Sequence, residues 1–135
     1  MVQAPAEHLG DTIILFSTAF DRVSVLRREE RPDRSLLEMW GWWGPYRVRF
    51  LEVLPIGGPR KYAYYVLKEE AVVVGFDNAS DPRVLRLKYG KDAARHQGEQ
   101  VPHMHGSGKV MLQMTEEMGC GDFIAWVQVH LSLAT

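Results

Sequence analysis

The chain carries a single cysteine, Cys120, so it can form no internal disulfide, and that composition suits the reducing interior of a cell. It lacks any run of the ~18 apolar residues that a membrane span requires, and its opening MVQAPAEHLGDTIILF does not follow the basic-then-apolar order of a secretory leader. The expectation is a soluble, cytoplasmic protein with no membrane partner. Excess charge of one sign is also missing: 16 Lys and Arg oppose 17 Asp and Glu, so bulk charge selects no partner and any nucleic-acid contact must come from a local basic cluster. There is no Walker-type loop, Cys-x-x-Cys pair, Gly-x-Ser-x-Gly elbow or His-Glu-x-x-His helix. These absences argue against the commonest nucleotide-hydrolysing, zinc-ribbon, serine-hydrolase and metalloprotease sites. Cys120, between two glycines near an expected helix start, reads as incidental, although a helix N-terminus would lower its pKa.

What is present is enough apolar material for one self-supporting core. A chain of 135 residues buries roughly two-thirds of its unfolded surface, so residues 1–135 read as a single domain, with a loop-rich insertion over 80–100. In EHLGDTIILFSTAFDRV, the residues Leu9, Ile13, Phe16 and Phe20 recur at helical spacing, with Asp11 as the expected cap. SLLEMWGWW, YRVRFLEVLP, KYAYYVLK and AVVVGFDN are short, aromatic or β-branched, and separated by turn residues, which predicts an antiparallel meander. In the second of these, Tyr46, Val48 and Phe50 alternate with Arg47 and Arg49, so one face is core and the other wet. KVMLQM predicts a further strand. GDFIAWVQVHLSL places Phe123, Ile124, Val127 and Leu131 on a helical stripe, with Asp122 as N-cap. The fold class is α+β, an antiparallel sheet with N- and C-terminal helices packed on one face.

A two-residue turn at Glu69-Glu70 would set Lys68 opposite Ala71, Val66 opposite Val73, Tyr64 opposite Gly75 and Tyr62 opposite Asp77. That register puts Arg60, Tyr62, Tyr64 and Asp77 on one face, and a longer turn would move them apart. Farther on, EQVPHMHGSGKV holds two imidazoles one residue apart. If PHMHG is extended, His103 and His105 point the same way and converge on one ligand atom or phosphate.

Three chemistries fit that pair. Two imidazoles titrating near neutrality can act as acid and base on a ribose 2′-hydroxyl and a leaving 5′-oxygen. With Asp77 they make a two-histidine, one-carboxylate set for a divalent transition ion. They can also simply hydrogen-bond phosphate. Beside these stand plainer readings: a solvated loop pair for the histidines, a backbone-bonding turn for Asp77 and Asn78, and an aromatic strand face for Tyr62 and Tyr64. WGWWGPY is either a stacking platform for bases or core and lid. The local basic residues are Arg27, Arg28, Arg83, Arg86, Lys88, Lys91 and Arg95, and those after residue 80 form the better phosphate-facing patch.

RKYAYYV, VVVGFDNAS and VPHMHG, followed by a helix, together resemble the TumE-like group of small proteins, described as toxins of toxin–antitoxin pairs. The resemblance spans about residues 45 to 132, with DPRVLRLKYGKDAAR inserted before the His-x-His and His96 as the displaced counterpart of an earlier histidine. It implies a protein that acts on nucleic acid, here read as RNA, and is held inactive by an antitoxin protein. On that reading His103 and His105 are the acid–base pair of a metal-independent ribonuclease, Arg60 stabilises phosphate and Asp77 orients one histidine. Tyr62, Tyr64, Asn78, Arg86 and Lys88 would contact substrate. No cofactor is then needed. A divalent metal at His103, His105 and Asp77 is the alternative, against which the lack of other His or Cys ligands nearby, His96 excepted, counts. A non-catalytic protein-interaction module is the reading from a different class.

Overall fold

A computed structural model describes residues 5–106, 111–131 and 133. Helix α1 (Pro5–Ala19) leads into seven strands with one connection: β1 (Asp21–Glu30), β2 (Arg34–Trp43), β3 (Tyr46–Pro55), β4 (Lys61–Lys68), β5 (Ala71–Asp77), β6 (His103–Gly106) and β7 (Leu112–Met114). Between β5 and β6 lie helix α2 (Pro82–Tyr89) and a 3-10 turn over Gly90–His96, and helix α3 (Cys120–His130) follows β7. The strands pair antiparallel in chain order, a seven-stranded meander. The expected α+β architecture is therefore present. The 80–100 segment differs from the loop-rich expectation, because Asp81 caps α2 through its carboxylate, which accepts from Arg83 N–H at 2.8 Å, and Pro82 suits the first turn.

Both terminal helices cover the same sheet face. Leu9 and Phe16 from the first helix, Phe20 just after it, and Phe123, Ile124 and Val127 from the last pack onto Leu37, Met39, Val48, Phe50, Tyr64, Val66 and Phe76. Each fully buried side chain of this kind contributes about 1.5–3 kcal/mol through loss of apolar surface from water. Alternation along β2 to β5 sends the neighbouring residues, among them Trp40, Arg47, Arg49, Tyr65 and Asp77, to the opposite face. There a smaller cluster, Val84, Leu85 and Val101 with Leu112, seats α2 near the β6–β7 edge.

Two cap assignments change. Asp11 lies inside α1, which begins at Pro5, so it is no cap. Asp122 sits three residues past the N-cap Gly119 and reaches back to accept its N–H at 2.9 Å. The hairpin register also changes. Glu69 and Glu70 do form the two-residue turn, both at positive φ of 50° and 69°, and Lys68 opposes Ala71. A bulge then leaves Val73 unpaired, so Val66 opposes Val74, Tyr64 opposes Phe76, and Asp77 faces Ala63 rather than Tyr62. One extra residue in a strand reverses the face of everything beyond it.

Candidate functional site

The register built by that bulge makes the site. Asp77 ends β5 opposite His103 in β6, and Gly75 stands opposite His105, so the carboxylate and both imidazoles emerge side by side on the face away from α1 and α3. The PHMHG segment is extended as its spacing requires, with Met104 turned to the core. His103 Nε2 lies 3.1 Å from Asp77 Oδ1, and His105 Nε2 lies 2.8 Å from Oδ2. The candidate ligand atoms of the three residues all fall within 4.8 Å of one another. Asp77 Oδ1 also accepts the Ala79 N–H at 3.0 Å, so the turn role expected of the Asp-Asn pair is combined with the site role.

Position is fixed from behind. His103 Nδ1 donates to the Val101 carbonyl at 2.7 Å, which sets its tautomer and leaves Nε2 facing the carboxylate. The Tyr65 hydroxyl reaches Asp77 Oδ2 at 3.4 Å, and its ring lies 5.7 Å from that of His105. Burial works to raise the Asp77 pKa, yet hydrogen bonds from His103 and His105 outweigh it and hold the carboxyl at about 2. For His103, burial works to lower the pKa, but the hydrogen bonds to Asp77 and to Val101 and the Asp77 charge outweigh it and raise the value. The His103 side chain is only 3% exposed against 20% for His105, so His105 is the imidazole that meets solvent. The cluster opens into a cleft of about 230 Å³ shared with Ala79, Ser80, Asp81 and Arg83.

The structure does not bring the other expected site residues here. Arg60, Tyr62 and Tyr64 belong to the helix-covered side, where Tyr62 and Tyr64 are buried core. Arg60 Nη1 donates to Glu52 Oε2 and to the Tyr64 hydroxyl, both at 2.8 Å, and Nη2 donates to the Met118 carbonyl. Its charge neutralises a buried carboxylate instead of a substrate phosphate. Asn78 is a backbone clamp: its side chain accepts Tyr62 N–H at 3.0 Å and donates to the Arg60 carbonyl at 2.8 Å. Arg86 and Lys88 are exposed on α2, Lys88 lying 3.5 Å from Glu99. His96 pairs with Glu99 at 2.9 Å and stacks on Tyr89, away from the cluster. Burial pushes the Cys120 thiol up to about 12, which makes it inert.

Sequence reasoning overlooked Tyr65, Gly75, Ser80 and Asp81. Gly75 was the readable signal, since glycine inside a strand marks a close approach. A Cβ on it would stand 2.5 Å from the Tyr65 ring and 2.6 Å from that of His105. No helix among the described residues is long and apolar enough to cross a membrane. Comparison with protein-family models, with curated proteins and with solved structures finds no match to this chain.

Proposed function

We propose that the protein cleaves RNA as the toxin of a toxin–antitoxin pair, in keeping with its TumE-like residues, and that Asp77, His103 and His105 bind a divalent transition ion to do so. The observation that carries the site reading is the convergence of two imidazole Nε2 atoms on the two oxygens of one carboxylate. With its Nδ1–H donated to Val101, a neutral His103 would turn a lone pair toward Asp77 Oδ1 at 3.1 Å, and the two lone pairs would repel unless a proton or a cation lies between them. A cation between them removes the repulsion. A metal held by both Nε2 atoms and the carboxylate satisfies all three groups at once, and the His103 contact to a backbone carbonyl is the outer support such ligands normally have.

The ion would lower the pKa of a bound water and polarise a phosphoryl oxygen. Around it, Asp77 orients the two rings, Val101 fixes the buried one, and the partly exposed His105 faces the cleft. Arg83 at the cleft rim, 2.9 Å from Asp81, supplies a guanidinium within the same opening.

A second reading rests on the raised His103 pKa. There His103 is an imidazolium held by Val101 and Asp77, and His105, oriented by Asp77, is a lone general base without metal. The two-imidazole acid–base pair is less favoured, because both Nε2 atoms are committed to one carboxylate and cannot flank a reacting phosphate.

Metal-stripped protein titrated with Zn(II), Co(II) and Mn(II) tests the choice, with cleavage of a labelled single-stranded RNA followed in parallel. One ion per chain is expected, together with at least a 10- to 100-fold loss of affinity in His105→Ala and Asp77→Asn and cleavage that stops on chelation. Cleavage that survives chelation transfers the chemistry to the lone-base reading. A protein that cuts no RNA with any ion overturns the nuclease proposal.

A further inference from the structure

The open sheet face carries a second feature that the cluster does not use. Across the ladder, Trp40 in β2 neighbours Arg49 in β3, Arg49 neighbours Tyr65 in β4, Tyr65 neighbours Gly75 in β5, and Gly75 neighbours His105 in β6. One unbroken row thus joins a tryptophan on one side of the sheet to the cluster on the other. A parallel row places Trp42 beside Arg47. The guanidinium carbons stack on the indoles: Arg47 lies 3.6 Å above the Trp40 ring, Arg49 5.3 Å from it, and Arg22 4.7 Å above Trp42. Trp40 Nε1 and Arg47 Nε are buried within the stack and have no hydrogen-bond partner among the described residues.

The charge of this face is positive. Glu38 is shared between Arg27 at 3.0 Å and Arg49 at 3.3 Å, and among the described residues the one carboxylate that pairs with Arg47 is the exposed Glu70 at 3.8 Å, while Arg22 stacks on its indole. With Asp21 opposite Trp42 in the β1–β2 ladder, four guanidinium groups face three carboxylates around two indoles. α1 and α3 both lie on the other side and leave this area uncovered. Half-buried indoles with interleaved Arg on an uncovered sheet face suit one kind of occupant above others: a strand whose bases are unstacked and whose backbone carries repeated negative charge.

We infer that the Trp40, Trp42, Arg22, Arg47 and Arg49 face binds single-stranded RNA and leads it along the Arg49–Tyr65–Gly75 row to His105. Four strand spacings, about 19 Å, separate Trp40 from His105, a length that several extended nucleotides cover. The inference rests on the nuclease reading for the identity of the ligand, but its site is distinct from the metal cluster. Base contacts would come from the indoles and phosphate contacts from the arginines.

The test is fluorescence polarisation of labelled single-stranded RNA of about ten nucleotides with the full chain, over a range of salt concentrations. Trp42→Ala is expected to weaken binding about 5- to 100-fold, the effect of losing one stacked base. Arg22→Gln and Arg47→Gln should each weaken it and reduce the salt slope by about one, whereas Arg31→Gln, the same charge change in the β1–β2 turn, should alter affinity less than twofold. Trp42→Phe, which keeps an aromatic face, should retain most of the binding and guards against a mere folding defect. RNA affinity unchanged in both Trp42→Ala and Arg47→Gln overturns the inference, as does loss of binding to a protein partner with RNA binding intact. RNA held through this face but never cut leaves the inference standing and removes the nuclease reading instead.

Discussion

Gly75 faces His105 across the β5–β6 ladder, and the space where its side chain would be is filled by the rings of His105 and Tyr65. The absence of a Cβ is thus what lets Tyr65 approach both His105 and Asp77. Gly75→Ala would have to displace one ring, and His105 is held at its far end by Asp77 at 2.8 Å. The expected outcome is a protein destabilised by about 1–3 kcal/mol, as overpacking typically costs, with metal affinity and RNA cleavage each reduced about tenfold. Thermal melts and calorimetric titration of the ion measure the two effects separately. Wild-type ion affinity in a folded Gly75→Ala protein would show that the ring geometry is not what fixes the site.

The Glu69-Glu70 turn offers a change in the opposite direction. Both residues sit at positive φ, where a side chain costs roughly 1–2 kcal/mol relative to the right-handed region and where glycine and asparagine are at ease. Glu69→Asn with Glu70→Gly should stabilise the chain by about 1–2 kcal/mol. The ion pair at the turn, Arg47 with Glu70 at 3.8 Å, is exposed and its loss is small. Denaturant unfolding should show a higher midpoint with an unchanged slope.

Much of the fold was legible because hydrophobic alternation is a local signal. Val48 and Phe50 against Arg47 and Arg49 set the faces of β3, and the Leu9 and Phe16 stripe set α1, with Phe20 just past its end. The His103/His105 face was legible for the same reason, since two residues apart in a strand means one side. The bulge at Val73 was not, because nothing in AVVVGFD marks which valine is left unpaired. That single residue reversed the expected company of Asp77, exchanging Tyr62 and Tyr64 for Ala63 and Tyr65. Arg60 stayed with Tyr62 and Tyr64 on the helix-covered face, and its partner there, Glu52, comes from a different strand, so no local spacing announced the pair.

Cys120 gives a prediction independent of the site. Its thiol is buried at the start of α3 and pushed up to about 12, so at pH 8 the reactive thiolate is only ~10⁻⁴ of the population. An unfolded chain, with a thiol pKa near ~8.5, exposes a far larger fraction. A disulfide reagent at pH 8 should therefore label the native protein at least about a thousandfold more slowly than the denatured one. Rapid labelling of native protein would mean that the α3 start opens readily.

The last prediction separates stability from chemistry at Arg60. Its guanidinium pairs at 2.8 Å with Glu52, whose side chain is 1% exposed, and Glu52 also accepts from Tyr64 at 2.7 Å and lies 2.9 Å from His8 Nε2. Arg60→Met removes the charge but leaves the buried carboxylate, a change that typically costs about 3–5 kcal/mol. Because Tyr64 and His8 remain in place, the expected loss is nearer ~2–3 kcal/mol. Adding Glu52→Gln removes the uncompensated charge while keeping a hydrogen-bonding side chain, so the double variant should be more stable than Arg60→Met by about 1–2 kcal/mol. A double-mutant cycle from urea unfolding reads this coupling directly. Ion affinity at Asp77, His103 and His105 should stay within about twofold in every folded variant, because the sheet separates the two networks. Loss of ion binding in a folded Arg60→Met protein would show that Arg60 acts on the site after all.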